Sequence, residues 1–107
     1  MKMEESQYLR TWQQELEKEN EEHQRSLDKF LHEREMLLSK RGILSEIIFQ
    51  SSGDDGIEKF KVHSGYNEIV SSLEKLEGQT QYELEENLRI KIRYNKHIIS
   101  KIKLQVQ

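Results

Sequence analysis

The segment Phe49–Ile57, FQSSGDDGI, interrupts a chain that otherwise has the sequence pattern of long helices. No glycine precedes Gly42, and the 107-residue sequence contains no proline, which would cost about 3 kcal/mol inside a helix. Gly53 can end a helix in the left-handed conformation. Either Asp54 or Asp55 can cap the helix that follows. The segment therefore predicts a break between two helices, at the turn of a helical hairpin or within a longer elbow over residues 51–65.

The composition favours helices that need a partner over a compact globule. Hydrophobic residues make up 34% of the chain and charged residues 35%, whereas a globule of this size usually needs more apolar residues for its own core. The charges are mixed and the apolar residues periodic, which favours helices over disorder. We predict an all-α, obligately oligomeric fold: a long antiparallel helical hairpin or coiled coil, with a dimeric bundle as the expected assembly.

Residues 1–50 form the first predicted unit, an N-terminal coiled-coil helix. Two rows with a seven-residue repeat run along it, one mostly apolar and one mostly polar. They are Leu9, Leu16, His23, Phe30, Leu37 and Leu44, and then Gln13, Asn20, Leu27, Arg34, Arg41 and Ile48. The polar members Asn20 and His23 lie in a stretch without apolar residues, 17–26. They either select register and partner or belong to a solvated part of the helix.

Residues 51–65 are predicted as a glycine-containing loop or elbow, and residues 66–107 as a C-terminal coiled-coil helix with a basic end. Within the elbow, Ile57–His63 reads as a short helix or an extended piece, and Ser64 as the N-cap of the last helix. A mostly apolar row runs along that helix through Tyr66, Ile69, Leu73, Leu76, Thr80 and Leu84, and then through Leu88, Ile92, Asn95 and Ile99. Its spacing changes beyond Gly78, which predicts a stutter.

The distribution of charge favours a closed hairpin. Residues 15–22 hold five glutamates and one lysine, whereas residues 87–107 hold six basic residues and no acidic one. A turn near residues 53–58 brings the two blocks together. An extended parallel dimer, the alternative arrangement, would place like charges against each other. Because an exposed ion pair contributes only about 0 to 1 kcal/mol, we expect the blocks to set orientation more than stability.

Two helices bury one narrow seam, and the apolar side chains here exceed what one neighbour can cover. We therefore expect a homo-oligomer, a dimer above all, or another coiled-coil protein as partner. Trp12 is the expected hot spot, because buried tryptophan dominates many interfaces. The residues predicted to form the interface are Leu9, Trp12, Leu16, Leu27, Phe30, Leu37, Leu44, Ile69, Leu73, Leu76, Leu84, Ile98 and Ile102.

The sequence offers no catalytic, cofactor-binding or metal site that we would predict, and we expect no enzyme. His32 begins a zinc-protease pattern whose second histidine is replaced by Met36. Asp54 and Asp55 fit a capping role better than a magnesium site. No nucleotide-binding glycine motif and no cysteine occur. No apolar run approaches the 18 or so residues of a membrane span, so we expect an intracellular protein, cytoplasmic or nuclear.

The expected function is protein–protein interaction, as a coiled-coil dimerisation or scaffold subunit of a larger intracellular assembly. The heptads resemble those of many coiled-coil assembly subunits, which implies the same role. The alternative is a nucleic-acid or chromatin-associated binder that uses the basic helix 89–103. In that case Arg89, Arg93 and Lys96, which share a helix face, would hold phosphates.

Overall fold

The chain is all-α in a computed structural model that describes residues 3–51 and 56–106. This part contains four helices and no strand: α1 (Met3–Gln50), α2 (Gly56–His63), α3 (Tyr66–Leu76) and α4 (Gln79–Val106). The all-α part of the predicted fold class is thereby confirmed. The capping roles predicted for Gly53, Asp54 and Asp55 lie outside the described residues.

Helix α1 follows the predicted heptad pattern. Every residue of the two predicted rows, from Leu9 to Ile48, is buried or half-buried, including the polar members. Leu16 is the most deeply buried of them. Glu4 and Glu5 lie in the first turn, where carboxylates are favoured by the helix dipole. The seven-residue repeat therefore identifies the inner side of this helix correctly.

Residues 57–63 belong to a helix, and the cap between α2 and α3 differs from the prediction. Gly65 has a φ of 80°, the left-handed conformation that ends helices at glycine. The amide of Ser64 donates to the carbonyl of Phe60 across 2.8 Å, and the amide of Gly65 to that of Val62 across 3.3 Å. Gly65, without a side-chain capping bond, is the N-cap of α3. The prediction of Ser64 as N-cap is therefore wrong, because a glycine is needed to turn the chain here.

The predicted helix over residues 66–104 is divided in two at Glu77 and Gly78. The amide of Gly78 donates to the carbonyl of Lys75 across 3.3 Å, and the amide of Tyr82 donates to that of Gly78 across 3.0 Å. A Cβ on Gly78 would lie 3.3 Å from the carbonyl oxygen of Glu74, a tight contact with backbone. The change of spacing that predicted a stutter therefore marks a helix end.

The chain forms two compact units. Unit 1 combines Met1–Asp28 with Glu83–Gln107, and unit 2 is Lys29–Tyr82. In the described part of unit 1 the buried hydrophobic residues are Leu16, Ile92, Ile99 and Ile102. In the described part of unit 2, Leu73 is the one hydrophobic residue that is fully buried, with 1% of its surface exposed. Unit 2 thus has a smaller core of its own.

Candidate helix-packing interface

The inner side of α4 is a row of residues whose spacing alternates between three and four. All of its members are buried or half-buried: Glu85, Leu88, Ile92, Asn95, Ile99, Ile102 and Val106. The predicted row reached Leu88, Ile92, Asn95 and Ile99, but it came to them through Leu84, which is 47% exposed. Within α4 the alternation of three and four residues leads back from Leu88 to Glu85, so Leu84 lies beside the inner row rather than in it.

An apolar cluster holds α1 and α4 together in unit 1. Leu16 of α1 packs with Ile99 and Ile102 of α4, and Leu9, Ile98 and Val106 pack against them. Burying each such side chain contributes on the order of 1.5–3 kcal/mol relative to leaving it exposed. The cluster includes four of the predicted interface residues, namely Leu9, Leu16, Ile98 and Ile102.

A pair of polar side chains connects the inner row of α4 to α1. The side-chain amide of Asn95, a residue only 8% exposed, donates to the carboxamide oxygen of Asn20 across 2.9 Å. The amide of Asn20 donates in turn to the backbone carbonyl of Ile92 across 3.3 Å. Asn20 is thus half-buried and bonded to α4 rather than simply solvated. Because buried polar groups are costly when unpaired, the pair is stable only where both partners meet.

Among the residues that the structure describes, each ion pair near the acidic residues 15–22 or the basic residues 89–103 lies within a single helix. Glu19 and His23 lie 3.2 Å apart on α1, and Arg89 lies 3.8 Å from Glu85 and 3.3 Å from Glu86 on α4. In the described chain, no ion pair joins a carboxylate of residues 15–22 to a base of residues 89–103. Their attraction therefore acts over longer distances, where salt screens it strongly.

In unit 2, a polar heptad residue closes the end of a helix. Nη2 of Arg34 donates to the backbone carbonyl of Leu76 across 3.1 Å. The last carbonyls of a helix lack partners within it, and the negative end of the helix dipole attracts a cation. Arg34 thus serves both needs at the C-terminus of α3. Its place in the predicted seam is explained by this contact.

A groove opens on unit 2 beside α1. Its volume is about 510 Å³, and Ser39, Lys40, Ile43, Leu44, Ser64 and Ile69 line it. Ile43 is 62% exposed, and Ile47, one helical turn further on, is exposed as well. In unit 1, Tyr8 and Trp12 are exposed on α1, Trp12 by 45%. Large apolar side chains thus remain in solvent on the outer side of this helix.

The predicted interface residues fall into three groups. Leu16, Leu73 and Ile102 are buried, Trp12 and Leu84 are exposed, and the others are half-buried, namely Leu9, Leu27, Phe30, Leu37, Leu44, Ile69, Leu76 and Ile98. The predicted interface set leaves out four buried residues of α4, namely Glu85, Ile92, Asn95 and Ile99. Three of them, Ile92, Asn95 and Ile99, belong to the row that the sequence indicated. Alternating steps of three and four residues back from Ile102 reach all four.

The predicted phosphate-binding residues are all exposed on α4. Arg89 already forms ion pairs with Glu85 and Glu86. Arg93 and Lys96 form no ion pair with any described residue, and Tyr94 is 65% exposed. Two cations are therefore available on one face of α4, while Tyr94 lies on a different side of the helix.

In residues 3–51 and 56–106, no group of three or more histidine, aspartate or glutamate side chains could hold a metal ion. None of the helices in that part is long and apolar enough to cross a membrane. His32 is exposed, and Asp54 and Asp55 lie outside the described residues.

No family model, curated protein or solved structure matches the chain.

Proposed function

We propose that the chain is a non-enzymatic coiled-coil interaction module, a dimerisation or scaffold subunit of a larger intracellular assembly. In this proposal α1 and α4 pair as an antiparallel hairpin. The contacts within unit 1 support it, since Leu16 meets Ile102 while Asn20, later in α1, meets the earlier Asn95. No cofactor or metal takes part. The partner is a second copy or another coiled-coil protein.

The observation that carries the proposal is the set of large apolar side chains left in solvent. Tyr8, Trp12, Ile43 and Ile47 are exposed on α1, although the inner seams of this helix are already occupied. Exposed apolar surface beyond single scattered residues is typical of interaction sites. Tryptophan and tyrosine are the residues that contribute most at such sites. A second chain on this side would cover them.

Light scattering on a sizing column, at low and at high salt, tests the proposal. We expect a dimer of the 12.9 kDa chain at both salt concentrations, because burial of apolar surface does not depend on unscreened charge. A monomer under both conditions would contradict self-association. In that case the module needs a different chain, and co-purification with candidate coiled-coil partners becomes the next experiment.

Nucleic-acid binding through α4 is the second candidate. It is favoured by the exposure of Arg93 and Lys96, which share one face of α4 and form no ion pair with any described residue. Phosphate contacts release counterions, so the affinity for an oligonucleotide should fall steeply with salt. The variant Arg93→Glu/Lys96→Glu should abolish binding, whereas Lys18→Glu on α1 should not. Equal binding by both variants would exclude this surface.

A further inference from the structure

We infer that a second copy of this chain packs antiparallel along the outer side of α1, with Trp12 of one protomer against Ile43 of its partner. The inference rests on the proposed self-association and adds its surface, orientation and register. It starts from a third row of residues on α1, distinct from the two rows that face the inner side.

This outer row repeats with alternating steps of four and three, as a coiled-coil seam does. Except for the half-buried Glu33, its members are exposed. They are Tyr8, Trp12, Glu15, Glu19, Glu22, Ser26, Lys29, Glu33, Met36, Lys40, Ile43 and Ile47. The apolar residues lie at the two ends of the row, and the charged residues lie between them. A partner must therefore match apolar ends with each other and bring unlike charges together.

The charges exclude a parallel pairing of this row. Two parallel copies in register would place Glu15, Glu19 and Lys40 each against its own equivalent. Like charges directly opposed in a packed seam cost stability, and the cost grows as water is excluded. A parallel dimer on this surface would therefore be opposed by most of its central layers.

In an antiparallel pairing, each apolar end of the row lies against the other apolar end of the partner's row. With Trp12 opposite Ile43 of the partner, Tyr8 lies opposite Ile47 and Glu15 opposite Lys40. Because the contact is symmetric, each of these pairs occurs twice. Two unfavourable layers remain, and each occurs twice: Glu22 opposite Glu33, and Glu19 opposite Met36.

The register is specific as well. A shift by one heptad in either direction brings a glutamate opposite Ile43, either Glu5 or Glu19. This would bury a carboxylate against an apolar side chain without a partner, which is costly. Although the pairing of Trp12 with Ile43 also places Glu19 opposite Met36, it is the one of these three registers in which both apolar ends meet apolar residues.

The groove of unit 2 gives the indole a place to pack. Ile43 and Lys40 line it together with Leu44 and Ile69, and its volume is about 510 Å³. Lys40 and Glu15 form no ion pair with any described residue, so both are available to each other across the dimer. An aromatic ring in a pocket with a polar rim is the usual form of an interface hot spot.

Disulfide trapping tests orientation and register directly, because the chain has no cysteine of its own. Glu15→Cys and Lys40→Cys chains are prepared separately and mixed under mild oxidation. We expect the mixed disulfide between the two variants and little of either homodimeric disulfide, since a bridge needs Cα atoms within about 7 Å. Self-crosslinking of Glu15→Cys alone would overturn the antiparallel arrangement.

The energetic test uses Trp12→Ala, with Tyr94→Ala on α4 as the matched control. We expect the dimer dissociation constant to rise at least about 30-fold for Trp12→Ala, the size of a hot-spot loss, and to stay within about threefold for Tyr94→Ala. Because Trp12 is 45% exposed, circular dichroism should report the same helix content in both variants.

The possible failures are distinct. A dimer that forms no mixed disulfide and ignores Trp12→Ala would overturn this inference and leave the proposed self-association standing. A wild-type chain that stays monomeric at all concentrations would overturn both.

Discussion

The side-chain amide of Asn95 on α4 donates to the carboxamide oxygen of Asn20 on α1 across 2.9 Å. Asn20 donates onward to the backbone carbonyl of Ile92 across 3.3 Å. The two side chains thus bond to each other where the mostly polar row of α1 meets the largely apolar inner row of α4. A slipped register would separate them and leave buried amide groups unpaired. This is how a single polar layer can select one pairing among several that bury similar apolar area.

Replacing one asparagine of the pair should lower the free energy of unfolding, and replacing both should restore it. We expect Asn95→Ala to lower the free energy of unfolding by about 1–3 kcal/mol, because it removes the bonded partner of a half-buried amide. The double variant Asn20→Leu/Asn95→Leu should recover that loss, because no polar group is then left unpaired. Urea unfolding at one fixed protein concentration measures both. Equal stability of Asn95→Ala and wild type would contradict the role of the pair.

Truncation of Leu73 should be the most damaging leucine change in unit 2. Leu73 is 1% exposed, and Leu→Ala at buried sites costs about 2–5 kcal/mol. Leu84→Ala is the matched control: this side chain is 47% exposed, so we expect a loss below about 1 kcal/mol. Thermal and urea unfolding of the two variants distinguish them. Similar losses would mean that the inner row of α4 is assigned wrongly.

Two glycine-to-alanine changes should have opposite signs. Gly65 has a φ of 80°, so alanine there should destabilise the chain by about 1–2 kcal/mol. Gly42 lies inside α1 with no atom within 4 Å of an added Cβ, so alanine there should stabilise the helix by about 1 kcal/mol. Melting temperatures of the two variants against wild type check both signs. A neutral Gly65→Ala would contradict the left-handed cap.

Ser64 should be replaceable with a gain in stability. Its hydroxyl oxygen is buried and has no hydrogen-bond partner among the residues that the structure describes. Ser64→Ala removes this uncompensated group and should raise the free energy of unfolding by about 1 kcal/mol. Ser26→Ala is the control, because its exposed hydroxyl already donates to the carbonyl of Glu22 across 3.2 Å. We expect at most about 0.5 kcal/mol there, from helix propensity. A loss of stability in Ser64→Ala would reveal a partner for the hydroxyl.

The inner side of α1 was predictable because a heptad repeat stays on the same side of an uninterrupted helix. In each of the two rows between Leu9 and Ile48 every seventh residue returns to the same face, and every member of the rows is buried or half-buried. The polar members Asn20 and Arg34 lie on the same face, but their bonds with Asn95 and Leu76 join residues far apart in the chain. A repeat within one helix identifies which residues face inward, but it does not show which residues they contact.

The sequence by itself therefore determined the helical class, the inner face of α1 and the break after residue 50, since these depend on local propensity and on periodicity within a helix. Only the tertiary structure decided the rotation of α4, which buries Glu85 and leaves Leu84 exposed. It also decided that Gly65 rather than Ser64 caps α3 and that Asn20 pairs with Asn95. The physical reason is that the heptad repeat of one helix no longer predicts the inward-facing residues of the next helix after a break such as that at Gly78. Which residues face inward after the break is set by packing against residues distant in the chain.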